Sequence, residues 1–339
     1  MSTRGRDIAR GEVIQRSRLG RLLFVGLSLL LSLSVARAEE VADDGEEDMQ
    51  VVLVTGVHAG PAMWKVSSGI RVLWILGEIS PYPRKLKWRS KEFERRLRQS
   101  QELIIDFSGY WWIDDDNSAA LDKASRIPDG KKLEDIISPE LHARVVETAA
   151  KFGNPSLEPW RPFSATNRLV SAAMKTLELD GFSVRFAAAK LGEWRKSKVT
   201  FFSAPELPFE ERLVNWQSPA NEVCLKRLVD TIGDGGDGVL QLANAWAVGD
   251  IPALRELVPK YSFSRDGFRA GECAAAMHGG EKQADEYKTR RTQAWVAEIE
   301  RAFKTNRSTI AVVLMSELFE PDGYLAALRA KGYEIAEPK

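Results

Sequence analysis

The stretch Ile70-Arg-Val-Leu-Trp-Ile-Leu-Gly-Glu-Ile-Ser80 decides how this chain folds. Its centre is almost continuously apolar, the pattern of a strand covered on both faces, not of one with a wet side. It ends in Gly77-Glu78-Ile79-Ser80, small and polar residues delivered to a sheet edge, the place where open α/β sheets put their chemistry. Two further runs share this character: Glu102 to Phe107 (ELIIDF), which carries Asp106, and Ser308 to Met315 (STIAVVLM) near the other end of the chain. Met63 to Val66 and Ile70 to Gly77 flank Ser67-Ser68-Gly69 and predict a hairpin.

Around these strands the pattern is mostly helical. Lys87 to Gln101 reads as a charged helix, and residues 114–196 as helices punctuated at Pro128-Asp129-Gly130, Ser138-Pro139 and Asn154-Pro155. Ser138 before Pro139 is a good helix start, a capping hydroxyl followed by a proline in the first turn. Lys198 to Ser203 returns to strand character. Pro208 to Ile232, Val239 to Val248, a segment after Gly249-Asp250 and Tyr287 to Lys304 read as helices, with an irregular region over 261–281. Tyr324 to Ala330 is helical and Tyr333 to Ala336 a last strand; Met49 to Val54 reads as a first one. The expected fold is α/β: a mixed central sheet built from N- and C-terminal strands, with a largely helical middle region packed on it or capping it.

The first residues stand apart from that fold. Arg16, Arg18 and Arg21 precede the apolar Leu22 to Val35, then Ala36-Arg37-Ala38, the order of a secretory signal with cleavage after Ala38. The apolar run is shorter than the roughly 20 residues a membrane span needs. Residues 39–48 form an acidic, solvated leader, and 49–339 are expected to make one domain. Cleavage would remove seven arginines and two acids from 48 basic and 48 acidic side chains, leaving the mature chain acidic by five. That balance excludes a basic nucleic-acid footprint, and no other apolar stretch approaches spanning length. Cys224 and Cys273 could pair in an oxidising compartment or stay two separate buried thiols; both readings remain open.

Several motifs lack the context that their chemistry needs. Gly233-Asp-Gly-Gly-Asp-Gly238 fits G-x-G-x-x-G but follows a helical run, whereas dinucleotide binding needs strand, tight turn and helix; it reads as a helix connection, and its aspartates lack the spacing of an EF-hand calcium loop. His58, His142 and His278 are scattered with no metal-binding spacing and read as surface or loop histidines. Neither H-E-x-x-H nor G-x-S-x-G occurs. The basic segment Arg84 to Arg98, interrupted by Glu92 and Glu94, reads as a solvated helix face more than an anion site. Trp160, Trp194, Trp216 and Trp246 read as packing, although a pocket in the helical block is a third possibility.

Collinear segments resemble the TraB/GumN family, bacterial relatives of the Tiki metalloproteases. They run from Pro61-Ala-Met-Trp-Lys-Val66 and Leu76-Gly-Glu-Ile79 through Ile127-Pro-Asp-Gly130, Pro159-Trp160, Ala245-Trp246 with Gly249-Asp250, and Arg291 with Trp295, to Gly323 and the Leu328 to Tyr333 ending. The resemblance implies a divalent-metal site built from a pair of G-x-x-H motifs and acids at the strand ends, where histidine nitrogen binds a metal that activates water. This sequence departs from it. The first motif is Gly77-Glu78-Ile79-Ser80, the second falls on Leu314-Met315-Ser316-Glu317, and the family acid falls on Asp106. Serine is a weak neutral ligand beside imidazole, so the inherited metal site is expected to be lost or badly weakened.

The leading expectation is therefore an exported, catalytically degenerate family member that acts by binding, with a protein or peptide as the partner class and no cofactor. The alternative is a hydrolase with a rebuilt site, in which Glu78, Ser80, Asp106 and Glu317 supply oxygen ligands to Mn²⁺, Mg²⁺ or Ca²⁺, and Asp106 and Arg291 carry the catalysis.

Overall fold

The computed structural model describes residues 57–58, 60–88, 91–108, 115–181, 183–194, 196–263 and 271–338. The expected signal segment, acidic leader and strand at 49–54 lie outside the described residues. In chain order the strands are β1 (Val57–His58), β2 (Met63–Ser68), β3 (Arg71–Glu78), β4 (Tyr82–Pro83), β5 (Lys87–Trp88), β6 (Glu102–Asp106), β7 (Leu179–Asp180), β8 (Lys198–Phe202), β9 (Ser308–Leu314) and β10 (Glu334–Ala336). The helices are α1 (Lys91–Gln99), α2 (Asp115–Ser125), α3 (Pro139–Lys151), α4 (Pro162–Thr176), α5 (Ser183–Trp194), α6 (Phe209–Trp216), α7 (Glu222–Ile232), α8 (Asp237–Val248), α9 (Ile251–Tyr261), α10 (Gly271–His278), α11 (Glu281–Thr305), α12 (Met315–Phe319) and α13 (Tyr324–Ala330).

Six strands form one mixed sheet in the order β10-β2-β3-β9-β6-β8. β2 and β10 run antiparallel to their neighbours, while β3, β9, β6 and β8 are mutually parallel. The two apolar runs from opposite ends of the chain thus lie side by side, Gly77 against Val313 and Glu78 against Leu314. β9 is flanked on both sides and is buried from Thr309 onward, which explains its unbroken hydrophobicity. All four parallel strands end at one edge, which collects Glu78, Asp106, Phe202 and Leu314.

The hairpin forms as expected but turns one residue later. Ser68 pairs with Arg71, leaving Gly69 at φ 58° and Ile70 exposed on the turn. Glycine takes that left-handed conformation without the steric cost that a side chain brings. The helix expected over 87–101 begins only at Lys91, because Lys87 and Trp88 pair with β1. The helix expected over 208–232 is broken at Ser218-Pro219. Proline supplies no N–H to continue α6, and the buried Asn221 amide donates to three carbonyls of that corner, Asn215 (2.8 Å), Trp216 (3.3 Å) and Ser218 (3.1 Å). Within the irregular 261–281 region a real helix, α10, occupies Gly271–His278.

Two apolar cores result. One surrounds the sheet and takes side chains from α1, α5, α8, α9, α11 and α13; the other is made by α3, α4 and α7 with Phe263 and the α10 cysteine. The middle region therefore both packs on the sheet and builds a core of its own. Trp246 of α8 is fully buried and donates its indole N–H to the Gly77 carbonyl at 2.8 Å, tying the helical region to the end of β3. Full burial of such a side chain contributes on the order of 2–3 kcal/mol. A disulfide joins Cys224 of α7 to Cys273 of α10, which decides the pairing the sequence left open. The glycine-rich connection between α7 and α8 is a turn: Asp234 accepts from the backbone N–H of Gly236 (2.8 Å) and Gly238 (3.1 Å). Within the basic segment Arg95 and Arg96 pair with Glu92 and Arg98 with Glu94.

Candidate functional site

Glycine at position 77 is closely packed. A Cβ there would stand 2.8 Å from Met315 Cε, 3.0 Å from Leu318 Cδ1 and 3.2 Å from the Trp64 ring. Without one, α12 folds back tightly onto the end of β3. This short helix leaves β9 at Met315, so Glu317 sits in its first turn and not on the strand. Glu78, Ser80, Asp106, Arg291 and Glu317 are all buried and all lie at the carboxyl edge of the sheet or on the helices over it.

Each carboxylate there has its own partner. Glu317 forms an ion pair with Arg291 of α11. Burial works against the Arg291 charge, but the Glu317 carboxylate, with Tyr324, Tyr287 and Asp106 nearby, outweighs it and pushes the guanidinium pKa up. Asp106 accepts from the Ser108 backbone N–H and from the Tyr324 hydroxyl, each at 2.7 Å. Tyr324 is fully buried, stacked on Trp295 with ring centroids 4.2 Å apart. Burial, reinforced by Asp106 and Glu317, raises its pKa, so the phenol stays a donor. Asp106, Arg291, Glu317 and Tyr324 thus form one electrostatic cluster. Glu78 is engaged separately, in an ion pair with the equally buried Arg185 of α5, whose guanidinium lies 5.7 Å from the Phe107 ring centroid.

Arg185 and Tyr324 are the partners sequence reading missed. Arg185 had a signal: it is the one cation in Val184-Arg-Phe-Ala-Ala-Ala-Lys190 before the closing lysine, and a charge inside an apolar helical stretch asks for a buried counter-charge. Tyr324 had none, since a tyrosine opening a helix is ordinary.

Ser80 is buried beside a cis peptide bond to Pro81. Its carbonyl accepts from Phe263 N–H (2.8 Å) and the Ser262 hydroxyl (3.0 Å), while its own hydroxyl has no hydrogen-bond partner among the described residues. Ser80 is among the residues that line a cleft of about 600 Å³, together with His278, Tyr287, Lys288, Arg291 and Glu317. His278 is not the surface or loop histidine expected. It ends α10, stacks on Tyr287 at 4.4 Å, and its pKa is lowered to about 4 by burial and by Arg291 and Arg290; it is neutral at ordinary pH. Its Nδ1 is buried without a partner among the described residues. His142 instead meets Glu158 at 2.7 Å.

An oxygen site for Mn²⁺, Mg²⁺ or Ca²⁺ needs several carboxylate oxygens turned toward one point. Here Glu78 faces Arg185, Glu317 faces Arg291, and both Asp106 oxygens accept hydrogen bonds from protein donors. Among the described residues no group of three or more His, Cys, Asp or Glu is placed to hold a metal ion. The residues present do not fit one.

The tryptophans of the helical block serve mainly as packing. Trp246 anchors the end of β3, Trp216 stacks on Phe163 at 5.1 Å, and the guanidinium groups of Arg126 (4.4 Å) and Arg168 (3.4 Å) both lie over the Trp160 ring; the Trp194 side chain lies outside the described residues.

The collinear motifs and the shared sheet edge agree with a wider match: the family model described as TraB/PrgY/gumN family covers residues 62–337. The chain belongs to that family. No curated protein and no solved structure matches it. Among the described residues no helix is long and apolar enough to cross a membrane.

Proposed function

We propose that this protein is an exported member of the TraB/PrgY/gumN family that acts by binding a partner, not by metal-dependent hydrolysis. One observation carries the reading: at the edge where the family resemblance implies a metal site, each acid is closed off by its own donor, Glu317 by Arg291, Glu78 by Arg185 and Asp106 by Tyr324 and Ser108. Breaking such a buried pair to recruit a metal would strand an uncompensated charge, at a cost of about 3–5 kcal/mol per pair. The cleft beside Ser80 is of ligand size, so the edge keeps a place to bind while its acids are committed to structure.

Export is supported by the signal-like order of residues 16–38 and by the Cys224–Cys273 disulfide, a bond that persists in oxidising compartments. Two measurements test the proposal. Metal analysis of natively purified protein should find no stoichiometric Mn²⁺, Co²⁺ or Zn²⁺, and peptides should remain uncut when these ions are added. Stoichiometric metal together with cleavage, both lost in Asp106→Ala, would overturn it. N-terminal sequencing of the exported protein should begin at Glu39.

A further inference from the structure

The cleft bordered by Ser80 has a chemical character of its own, and a ligand for it rests on reading the chain as a binding protein. One wall is a face of α11, where Glu281, Ala284, Asp285, Lys288 and Arg291 recur at helical spacing. Charges in the floor and on one side are already matched: Arg291 by Glu317, and Lys288 by Glu320 (2.7 Å) and Asp322. Arg227 donates to the Pro259 carbonyl at 3.0 Å. Three carboxylates remain at the mouth, Glu272, Glu281 and Asp285, exposed and without an ion pair among the described residues. The described lining is therefore net negative.

The second feature is independent of that acidic rim. Two residues that line the same cleft each carry a buried polar atom with nothing to bond among the described residues, the Ser80 hydroxyl and His278 Nδ1. Leaving buried polar groups unsatisfied costs on the order of a hydrogen bond each, so their persistence on the wall of a ligand-sized cleft points to a ligand that satisfies them. The stacked Tyr287 and His278 rings and Phe263 and Phe319 supply apolar wall between floor and rim. The unpaired carboxylates of the rim favour an ammonium group over an anion.

We propose that this cleft binds a ligand carrying a protonated amine on an apolar body, with the amine held at the Glu272, Glu281 and Asp285 rim and a polar group of the ligand reaching Ser80 and His278. A free polyamine and the lysine side chain of a peptide share this chemistry.

The test is calorimetric titration of the purified protein with spermidine, with the peptide acetyl-Leu-Lys-Leu-amide, and with the same peptide acetylated on the lysine amine. Spermidine or the lysine peptide should bind, and the acetylated peptide should bind at least tenfold more weakly. The better ligand of the first two identifies the source. Neutralising the exposed rim with Glu272→Gln, Glu281→Gln and Asp285→Asn should weaken binding by roughly two- to fivefold per carboxylate, with the fold unaffected because these side chains touch solvent. Ser80→Ala should weaken it further without altering the salt dependence. Equal binding of the acetylated peptide, an unchanged rim variant, or no binding of either amine overturns the proposal. Cleavage of the peptide on addition of Mn²⁺ would instead overturn the binding-protein reading on which it rests, whichever way the titrations fall.

Discussion

Removing one partner of the Arg291–Glu317 pair separates a structural ion pair from a metal ligand. Both side chains are about 95% buried, so Glu317→Leu takes the ion-pair partner from the guanidinium, leaving Asp106 as a nearby carboxylate, and Arg291→Met takes the cation from the Glu317 carboxylate. Each single change should cost about 3–5 kcal/mol, whereas the double variant, which replaces the pair by apolar side chains, should recover most of that loss. With a urea m-value of about 3 kcal/mol/M, at the upper end for small proteins, each single variant should lower the unfolding midpoint by roughly 1–1.7 M. The assay is equilibrium urea unfolding of wild type, the two singles and the double, each repeated with EDTA. Wild type should unfold at the same midpoint with and without the chelator. A structural ion pair is excluded if the single variants lose less than about 1 kcal/mol, if the double loses the sum of the singles, or if EDTA lowers the wild-type midpoint.

Four further outcomes rest on the packing. Glu102, fully buried at the other end of the sheet, has a pKa lowered from 4.5 to about 2: burial opposes ionisation, but Lys198, Thr200, Arg301 and Asn306 more than compensate. Its folded pKa lies below the unfolded one, so the stability it contributes is complete above about pH 4.5 and is lost as pH falls toward 2. The full shift corresponds to roughly 3 kcal/mol; because Lys198 and Arg301 reach it from solvent, roughly 1–2 kcal/mol is expected, and Glu102→Gln should flatten that part of the stability-against-pH curve. Tyr324→Phe keeps the stack on Trp295 but removes a donor to Asp106, and should cost about 1.5–3 kcal/mol in thermal or urea unfolding. Gly77→Ala should cost about 1 kcal/mol by forcing the Met315 and Leu318 side chains to shift, checked by the same unfolding measurement. Reducing the disulfide, or replacing both cysteines by serine, releases a loop closed over 49 residues and should lower stability by about 4 kcal/mol on the chain-entropy account, read as a midpoint shift with and without reductant.

What could be read locally came out of the sequence well. The strand carried by Ile70 to Ser80, its partner Ser308 to Met315, and Glu102 to Phe107 announce themselves by unbroken apolar runs, because a strand flanked on both sides has no wet face to mark with polar residues. Ser138 and Asp250 mark helix starts, and each side chain does accept from the N–H three residues on, Leu141 at 3.2 Å and Ala253 at 3.1 Å. Elements shifted where a contact distant in sequence intervened, as when pairing of Lys87 and Trp88 with β1 delayed α1.

The sequence by itself determined that this is an α/β member of its family and picked out Glu78, Ser80, Asp106, Arg291 and Glu317 as candidate site residues. Only the tertiary structure decided what those residues do. Whether a buried acid meets a cation, a phenol or another acid depends on which helix is packed over the sheet edge and in what register. Arg185 on α5 and Tyr324 on α13 are 107 and 218 residues from the acids they engage. No local pattern encodes such a pairing, because a buried charge constrains its surroundings only once the chain has closed around it.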